Sequence, residues 1–143
     1  MTSIRSRRWL AVAPLACIAL LSGCDDNPVA PGLGIPFTIT DLVVGTGAEA
    51  DNGLAVTVQY VGWLYEPTAP DNKGTQFDAS DGFTFLVGAG QVIAGWDAGV
   101  RGMREGGVRL LIIPPGLAYG EAGQGSIPPN ATLIFEITLL EVL

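Results

Sequence analysis

The stretch Val92-Ile93-Ala94-Gly95-Trp96-Asp97-Ala98-Gly99-Val100 decides the fold. A short apolar turn runs into a short helix, expected over Gln91 to Val100. Ile93, Trp96 and Val100 fall at i, i+3 and i+7 and form one inward stripe. Gly99 and Gly102 bound its end. The regions on either side of it read as strands, so this helix has to cover a sheet.

The strand signals are periodic. Phe37 to Val44 is a first candidate. Leu54 to Tyr65 is the clearest, with Val56, Val58, Tyr60, Gly62 and Leu64 on one face and Thr57 and Gln59 on the other. Glu66 to Gly74 reads as a loop on its composition. Thr75 to Asp78 is a short strand, and Phe83 to Val87 alternates with Phe83, Phe85 and Val87 together. Val108 to Ile113 follows Gly106-Gly107. Pro114 to Asn130 is a long Gly- and Pro-rich loop, of the kind that in compact domains is functional or disordered. Thr132 to Val142 closes the series, with Leu133, Phe135, Ile137 and Leu139 facing in. Five to six strands and one short α-helix make an α+β fold with an antiparallel sheet.

Composition narrows the chemistry. The chain has 143 residues, 48% of them hydrophobic, with 20 glycines and 10 prolines, which suits one domain of short strands and many turns. It has no histidine. Ser-His-Asp and Cys-His catalysis are therefore excluded, and so is most zinc chemistry. Neither a metal nor a cofactor is expected.

The N-terminus reads as an export signal over residues 1–23. Arg5, Arg7 and Arg8 precede an apolar run from Trp9 to Leu21, too short for a comfortable membrane span. Leu21-Ser22-Gly23-Cys24 resembles a bacterial lipobox, which implies lipidation of Cys24 and anchoring by several acyl chains. A plain secretory signal with a chance cysteine is the alternative. Ser6-Arg7-Arg8-Trp9-Leu10 faintly resembles a twin-arginine signal. Residues 24–36, rich in Pro and Gly, read as a flexible tether. Residues 37–143 form the expected domain. Cys17 would leave with the signal and lipid would consume Cys24, so a disulfide is not expected.

The net charge is −7. Loss of Arg5, Arg7 and Arg8 would leave four basic residues against fourteen acidic ones. Such a surface suits neither nucleic acid nor anionic headgroups. Membrane attachment by the lipid alone is expected, at the extracytoplasmic side of a bacterial cell envelope. No internal repeat or appended dimerisation segment is seen, so a monomer is expected.

Four further motifs stand around the opening stretch: Tyr60-Val61-Gly62, Phe77-Asp78-Ala79-Ser80, Ala118-Tyr119-Gly120 and Ile127-Pro128-Pro129-Asn130-Ala131-Thr132-Leu133. Their order and spacing, from Phe37 to Leu143, resemble the FKBP-type peptidyl-prolyl cis-trans isomerases. The resemblance implies a bent antiparallel sheet wrapped around the helix. It also implies proline-containing polypeptide substrates and macrolide-type pocket ligands.

Isomerisation of an X-Pro bond crosses a barrier of roughly 18–20 kcal/mol because the planar amide loses resonance. The twisted transition state has a less polarised carbonyl than the planar amide. A dry apolar pocket therefore favours the transition state, with no nucleophile or metal required. The resemblance makes Trp96 the pocket floor and Tyr60, Phe77, Phe83 and Phe135 its walls. Val92 and Ile93 match the segment whose Ile93 N–H binds a carbonyl beside the proline. The Tyr119 hydroxyl is expected to bond the peptide, and Ile127 to sit on the rim. Asp78 matches the acidic residue near the reacting carbonyl, where it shapes the local field. Asp78, Tyr119 and Tyr60 are thus the implied catalytic groups. Inward aromatics such as Tyr60, Phe83 and Phe135 also serve as plain core.

Phe77 and Asp78 are adjacent, so a regular strand would send them to opposite faces. A bulge or strand end is expected there. The chain also departs from the family pattern. Only Asp81 and Gly82 separate Ser80 from Phe83, where the family usually has several more residues, often with an arginine that steadies the aspartate. Lys73, Arg101, Arg104 and Arg109 are the remaining candidate cations. Two rivals to an exported isomerase remain: a weakly active module that grips proline-containing partner segments, and an envelope lipoprotein of unrelated β-rich fold.

Overall fold

The computed structural model describes residues 34–143. The expected signal, most of the tether and the lipidation site at Cys24 lie outside the described residues. Five strands and one α-helix are present: β1 (Thr38–Val43), β2 (Ala55–Tyr65), β3 (Lys73–Leu86), α1 (Ala94–Val100), β4 (Val108–Ile113) and β5 (Leu133–Val142). They form one antiparallel sheet in the order β1-β4-β5-β2-β3. Among the described residues no helix is long and apolar enough to cross a membrane.

The core follows the period-two pattern. Leu133, Phe135, Ile137 and Leu139 of β5 and Val56 and Val58 of β2 are buried on the face that meets the helix. On β4, Leu111 and Ile113 face the same way. The helix has only seven residues, two of them glycines that weaken it intrinsically. Packing holds it instead. A Cβ on Gly95 would meet Ile113 Cγ2 at 2.5 Å, and one on Gly99 would meet Leu111 Cδ1 at 2.6 Å. Those bare positions let α1 lie directly on β4, with Trp96 and Val100 buried beside them.

Arg109 occupies an inward position on β4 where the pattern allows a hydrophobe. It is 9% exposed. Its Nε donates to Asp41 Oδ1 at 2.6 Å, and its Nη1 donates to the carbonyls of Gly99 (2.8 Å) and Arg101 (3.1 Å). One guanidinium thus ties β1 to the C-terminal carbonyls of α1, where a cation is favoured.

Two boundaries differ from the sequence reading. The helix starts at Ala94, not Gln91; Ile93 is extended and serves as its N-cap. The segments Thr75 to Asp78 and Phe83 to Val87 are not two strands. They belong to the single strand β3, because its pairing with β2 continues past Asp81 and Gly82 as a bulge: Tyr60 faces Ser80 and Val58 faces Phe83. The short Ser80–Phe83 connection is therefore strand, not turn.

Candidate functional site

A cavity of about 250 Å³ opens between the inner face of the sheet and the N-terminus of α1. Of the site residues read from sequence, Tyr60, Phe77, Asp78, Phe83, Val92, Ile93, Trp96, Tyr119 and Phe135 all line it. β2 and β5 supply the deep wall. Gly62 is opposite Phe135 on one side and Asp78 on the other. A Cβ on Gly62 would meet Phe135 Cε1 at 2.7 Å and Phe77 Cζ at 2.8 Å. Without it the two phenyl rings meet edge to face, 5.5 Å between centroids.

Trp96 anchors the aromatic set. Its ring stands edge-on to Tyr60 at 4.8 Å and to Phe135 at 5.2 Å, and it tilts against Phe85 at 5.6 Å. Such edge-to-face pairs suit the ring quadrupoles. Trp96 is 4% exposed, and among the described residues its Nε1 has no hydrogen-bond partner. Phe83 was expected to face inward; it is 38% exposed because it stands at the mouth, stacked on Phe85.

The irregularity expected at Phe77 and Asp78 is present. Gly62 pairs with Asp78 and Trp63 with Gln76, so Phe77 is the extra residue of a bulge. Two consecutive side chains therefore reach one cavity. Asp78 is exposed as a residue, yet its carboxylate is held. Tyr60 Oη donates to Oδ2 at 2.7 Å and the Ala79 N–H donates to Oδ1 at 2.9 Å. None of the four candidate cations pairs with it. Lys73 bonds Glu136, Arg104 bonds Glu49 and Arg109 bonds Asp41, while Arg101 makes no ion pair among the described residues. A tyrosine and a backbone amide do the steadying for which these four cations were the candidates.

Burial and the neighbouring Asp78 carboxylate hold both phenols above the ordinary tyrosine range. For Tyr60 the causes are burial first, then the hydrogen bond to Asp78. For Tyr119 they are burial first, then the Asp78 charge. Both stay protonated donors at neutral pH. Tyr119 is set by the turn after β4, where Gly120 N–H donates to Pro115 O at 2.9 Å. Ile93 precedes the helical ladder; its carbonyl accepts from Trp96 and Asp97, and its own N–H lies ahead of the first helical bond.

Ile127 is a correction. It does not line the cavity; it is 7% exposed and belongs to the core cluster. Gln124 and Ile127 exchange backbone hydrogen bonds, and Gly123 at φ +64° lies against the Ile127 carbonyl, so the loop tip folds back and tucks this side chain inward. Two residues were missed by the sequence reading. Gln91 lines the cavity while its Oε1 accepts the Leu86 N–H at 2.9 Å. Asp97 accepts the N–H groups of Gly88 (2.9 Å) and Gly90 (3.0 Å). The cue for Asp97 is a Gly-Ala-Gly turn shortly before a helix with an acid in its first turn.

The sequence profile of the family described as FKBP-type peptidyl-prolyl cis-trans isomerase matches residues 47–140. The chain belongs to this family. A protein of Neisseria meningitidis serogroup A named FK506-binding protein is 50% identical over 109 residues, covering 73% of this chain and 94% of its own. The crystal structure of AtFKBP13 is similar with a TM-score of 0.65 at 38% identity, covering 75% of this chain and 93% of that one. A peptidyl-prolyl cis-trans isomerase from Pseudomonas syringae pv. tomato is similar with a TM-score of 0.63 at 36% identity, over 82% and 83% of the two chains. The five-stranded sheet and single helix are the FKBP fold, and the activity is peptidyl-prolyl cis-trans isomerisation.

Proposed function

We propose that the Trp96 cavity is the catalytic pocket and that this isomerase acts on exported polypeptides at a bacterial cell envelope. The observation that carries the first half is convergence. Aromatic walls and three residues with polar groups to offer, Asp78, Tyr119 and Ile93, meet around one small cavity. The proline ring sits on Trp96 between Tyr60, Phe77 and Phe135. The apolar walls favour the twisted amide, whose carbonyl is less polarised than in the planar one. Ile93 N–H and Tyr119 Oη hold the flanking peptide groups. Asp78, fixed by Tyr60, sets the field at the rotating carbonyl. An acceleration of five decades needs about 7 kcal/mol of differential binding.

The second half rests on residues 1–24: the basic and apolar leader and the lipobox-like Leu21-Ser22-Gly23-Cys24. Cys24 carries the lipid, and the protein works as a monomer. Uncatalysed X-Pro exchange takes about 10–100 s, slow enough to limit folding of a newly exported chain.

Turnover of an Ala-Leu-Pro-Phe type tetrapeptide, with and without a macrolide ligand, tests the pocket. Ligand-inhibited turnover is expected. A folded protein that binds the macrolide without turnover would instead be a binding module. Labelled palmitate should enter the protein in a bacterial host and be lost on Cys24→Ser.

A further inference from the structure

A second cavity, of about 320 Å³, lies further along β2 and β3. Three elements, β2, β3 and the loop after β4, line both. β2 gives Tyr60 to the first and Leu64 and Tyr65 to the second. β3 gives Phe77 to the first and Thr75 to the second, about 7 Å apart along a strand. The loop after β4 gives Tyr119 to the first and Pro128, Pro129, Asn130, Ala131 and Thr132 to the second. Asn130 N–H donates to Gly120 O at 2.8 Å, which ties the second cavity's wall to the residue after Tyr119. A polypeptide that left the aromatic pocket along β3 toward Lys73 would reach the second cavity within a few residues.

The lining has a definite chemistry. Leu64, Tyr65, Pro128 and Pro129 form apolar walls, and Glu66 is the only charged residue among the lining residues. Glu66 is held in place: its Oε1 accepts the Thr68 hydroxyl at 2.8 Å and the Thr68 N–H at 3.2 Å. These bonds lower its pKa, the hydroxyl bond first. Gly74 makes room for it, since a Cβ there would meet Glu66 Cβ at 2.8 Å. The nearest lysine in sequence, Lys73, is taken up by Glu136 at 2.9 Å and by the Trp63 ring. Apolar walls with one fixed carboxylate match a long side chain that is apolar along its stem and cationic at its tip.

We propose that this second cavity is a substrate subsite that takes a lysine or arginine of the polypeptide a few residues from the isomerising proline. The proposal rests on the Trp96 cavity being the isomerase pocket. It makes the protein selective for proline in basic sequence contexts, a selectivity that a tetrapeptide does not reveal.

The test compares two peptides that share an Ala-Leu-Pro-Phe core. Each is extended by four residues on one side, with lysine in one and glutamate in the other at two to four residues from the proline; both directions of extension are made. The lysine peptide should show a KM about three- to fivefold lower, the scale of one exposed ion pair. In Glu66→Gln, which keeps the Thr68 hydrogen bond, the ratio of the two KM values should fall to near one. Equal KM values in the unaltered protein would overturn the subsite. So would a lysine preference that survives Glu66→Gln, because it would belong to the diffuse acidic surface. The unextended tetrapeptide separates the two readings: absence of both turnover and macrolide binding in the folded protein would sink the pocket assignment. Fluorescence anisotropy of the labelled long peptides would then still report the lysine preference.

Discussion

Tyr60 donates a 2.7 Å hydrogen bond to Asp78 across the β2–β3 pair, and this bond takes the place of a cation at the site. The other carboxylate oxygen is held by Ala79 N–H. Removing the phenol oxygen would leave Asp78 held through one oxygen only, and so less firmly oriented. Tyr60→Phe should therefore lower kcat/KM by about tenfold, or about 1.4 kcal/mol. It should cost less than about 1 kcal/mol of stability, since Asp78 can turn to water. Protease-coupled turnover and urea unfolding give the two numbers. Full activity in Tyr60→Phe would show that Asp78 needs no positioning.

The site residues were legible through the resemblance to the family, and strand alternation independently turned only some of them inward. Tyr60 and Phe135 share faces with Val56, Val58, Ile137 and Leu139, and the pattern alone turns them inward. The adjacency of Phe77 and Asp78 even required the bulge that the strand has. What failed was nonlocal. Asp81-Gly82 has the composition of a turn, and only pairing with β2 makes it strand. Val108 to Ile113 is apolar on both faces apart from Arg109, so periodicity could not say that this arginine points at α1. The inward tuck of Ile127 depends on backbone bonds across its own loop tip, which no side-chain pattern records.

Gly62→Ala tests how tightly the deep wall is packed. The added methyl would sit within 2.7–2.8 Å of both Phe135 and Phe77. Neither ring is the end of a flexible chain, so a ring must shift, and a turn into the cavity is the expected direction. Overpacking of this kind costs about 1–3 kcal/mol. Affinity for a macrolide ligand should fall more than stability does, as titration calorimetry against thermal unfolding would show. Unchanged ligand affinity would mean that the rings relax away from the pocket.

Turnover should be flat with pH across the neutral range. The chain has no histidine, and both tyrosines near Asp78 are held above their ordinary value of 10.0. Stability behaves differently in alkali. Above pH 10 the unfolded chain releases its phenolic protons while folded Tyr60 and Tyr119 keep theirs. The unfolded state then binds fewer protons, so stability falls as pH rises through that window. Urea midpoints at pH 8, 10 and 11 check the sign; a midpoint that rises would contradict the buried, neutral phenols.

Arg109 is a stability element remote from the cavity. Arg109→Ala would strip Asp41 of its partner and leave the Gly99 carbonyl unsatisfied in a buried position. Orphaned groups of this kind cost about 1–3 kcal/mol. Arg109→Lys should recover only part of it, because an ammonium cannot reproduce the fork. Below the unfolding transition both variants should retain kcat/KM. A large activity loss in folded Arg109→Lys would show that the α1 C-terminus communicates with the pocket.

Asp97 positions the segment that presents Ile93. Its two oxygens accept the N–H groups of Gly88 and Gly90, so one carboxylate clamps the turn between β3 and the cavity wall. An amide in its place keeps one acceptor and turns the other into a donor facing an N–H. Asp97→Asn should therefore free one end of the turn and let Val92 and Ile93 drift. The Ile93 N–H is proposed to bind flanking peptide in ground and transition states alike, so KM should rise about threefold to tenfold with kcat nearly kept. Asp97→Glu, with both acceptors retained on a longer arm, should restore part of the loss. A drop in kcat at constant KM would instead place the effect on the rotating bond and tie this turn to Asp78 rather than to substrate binding.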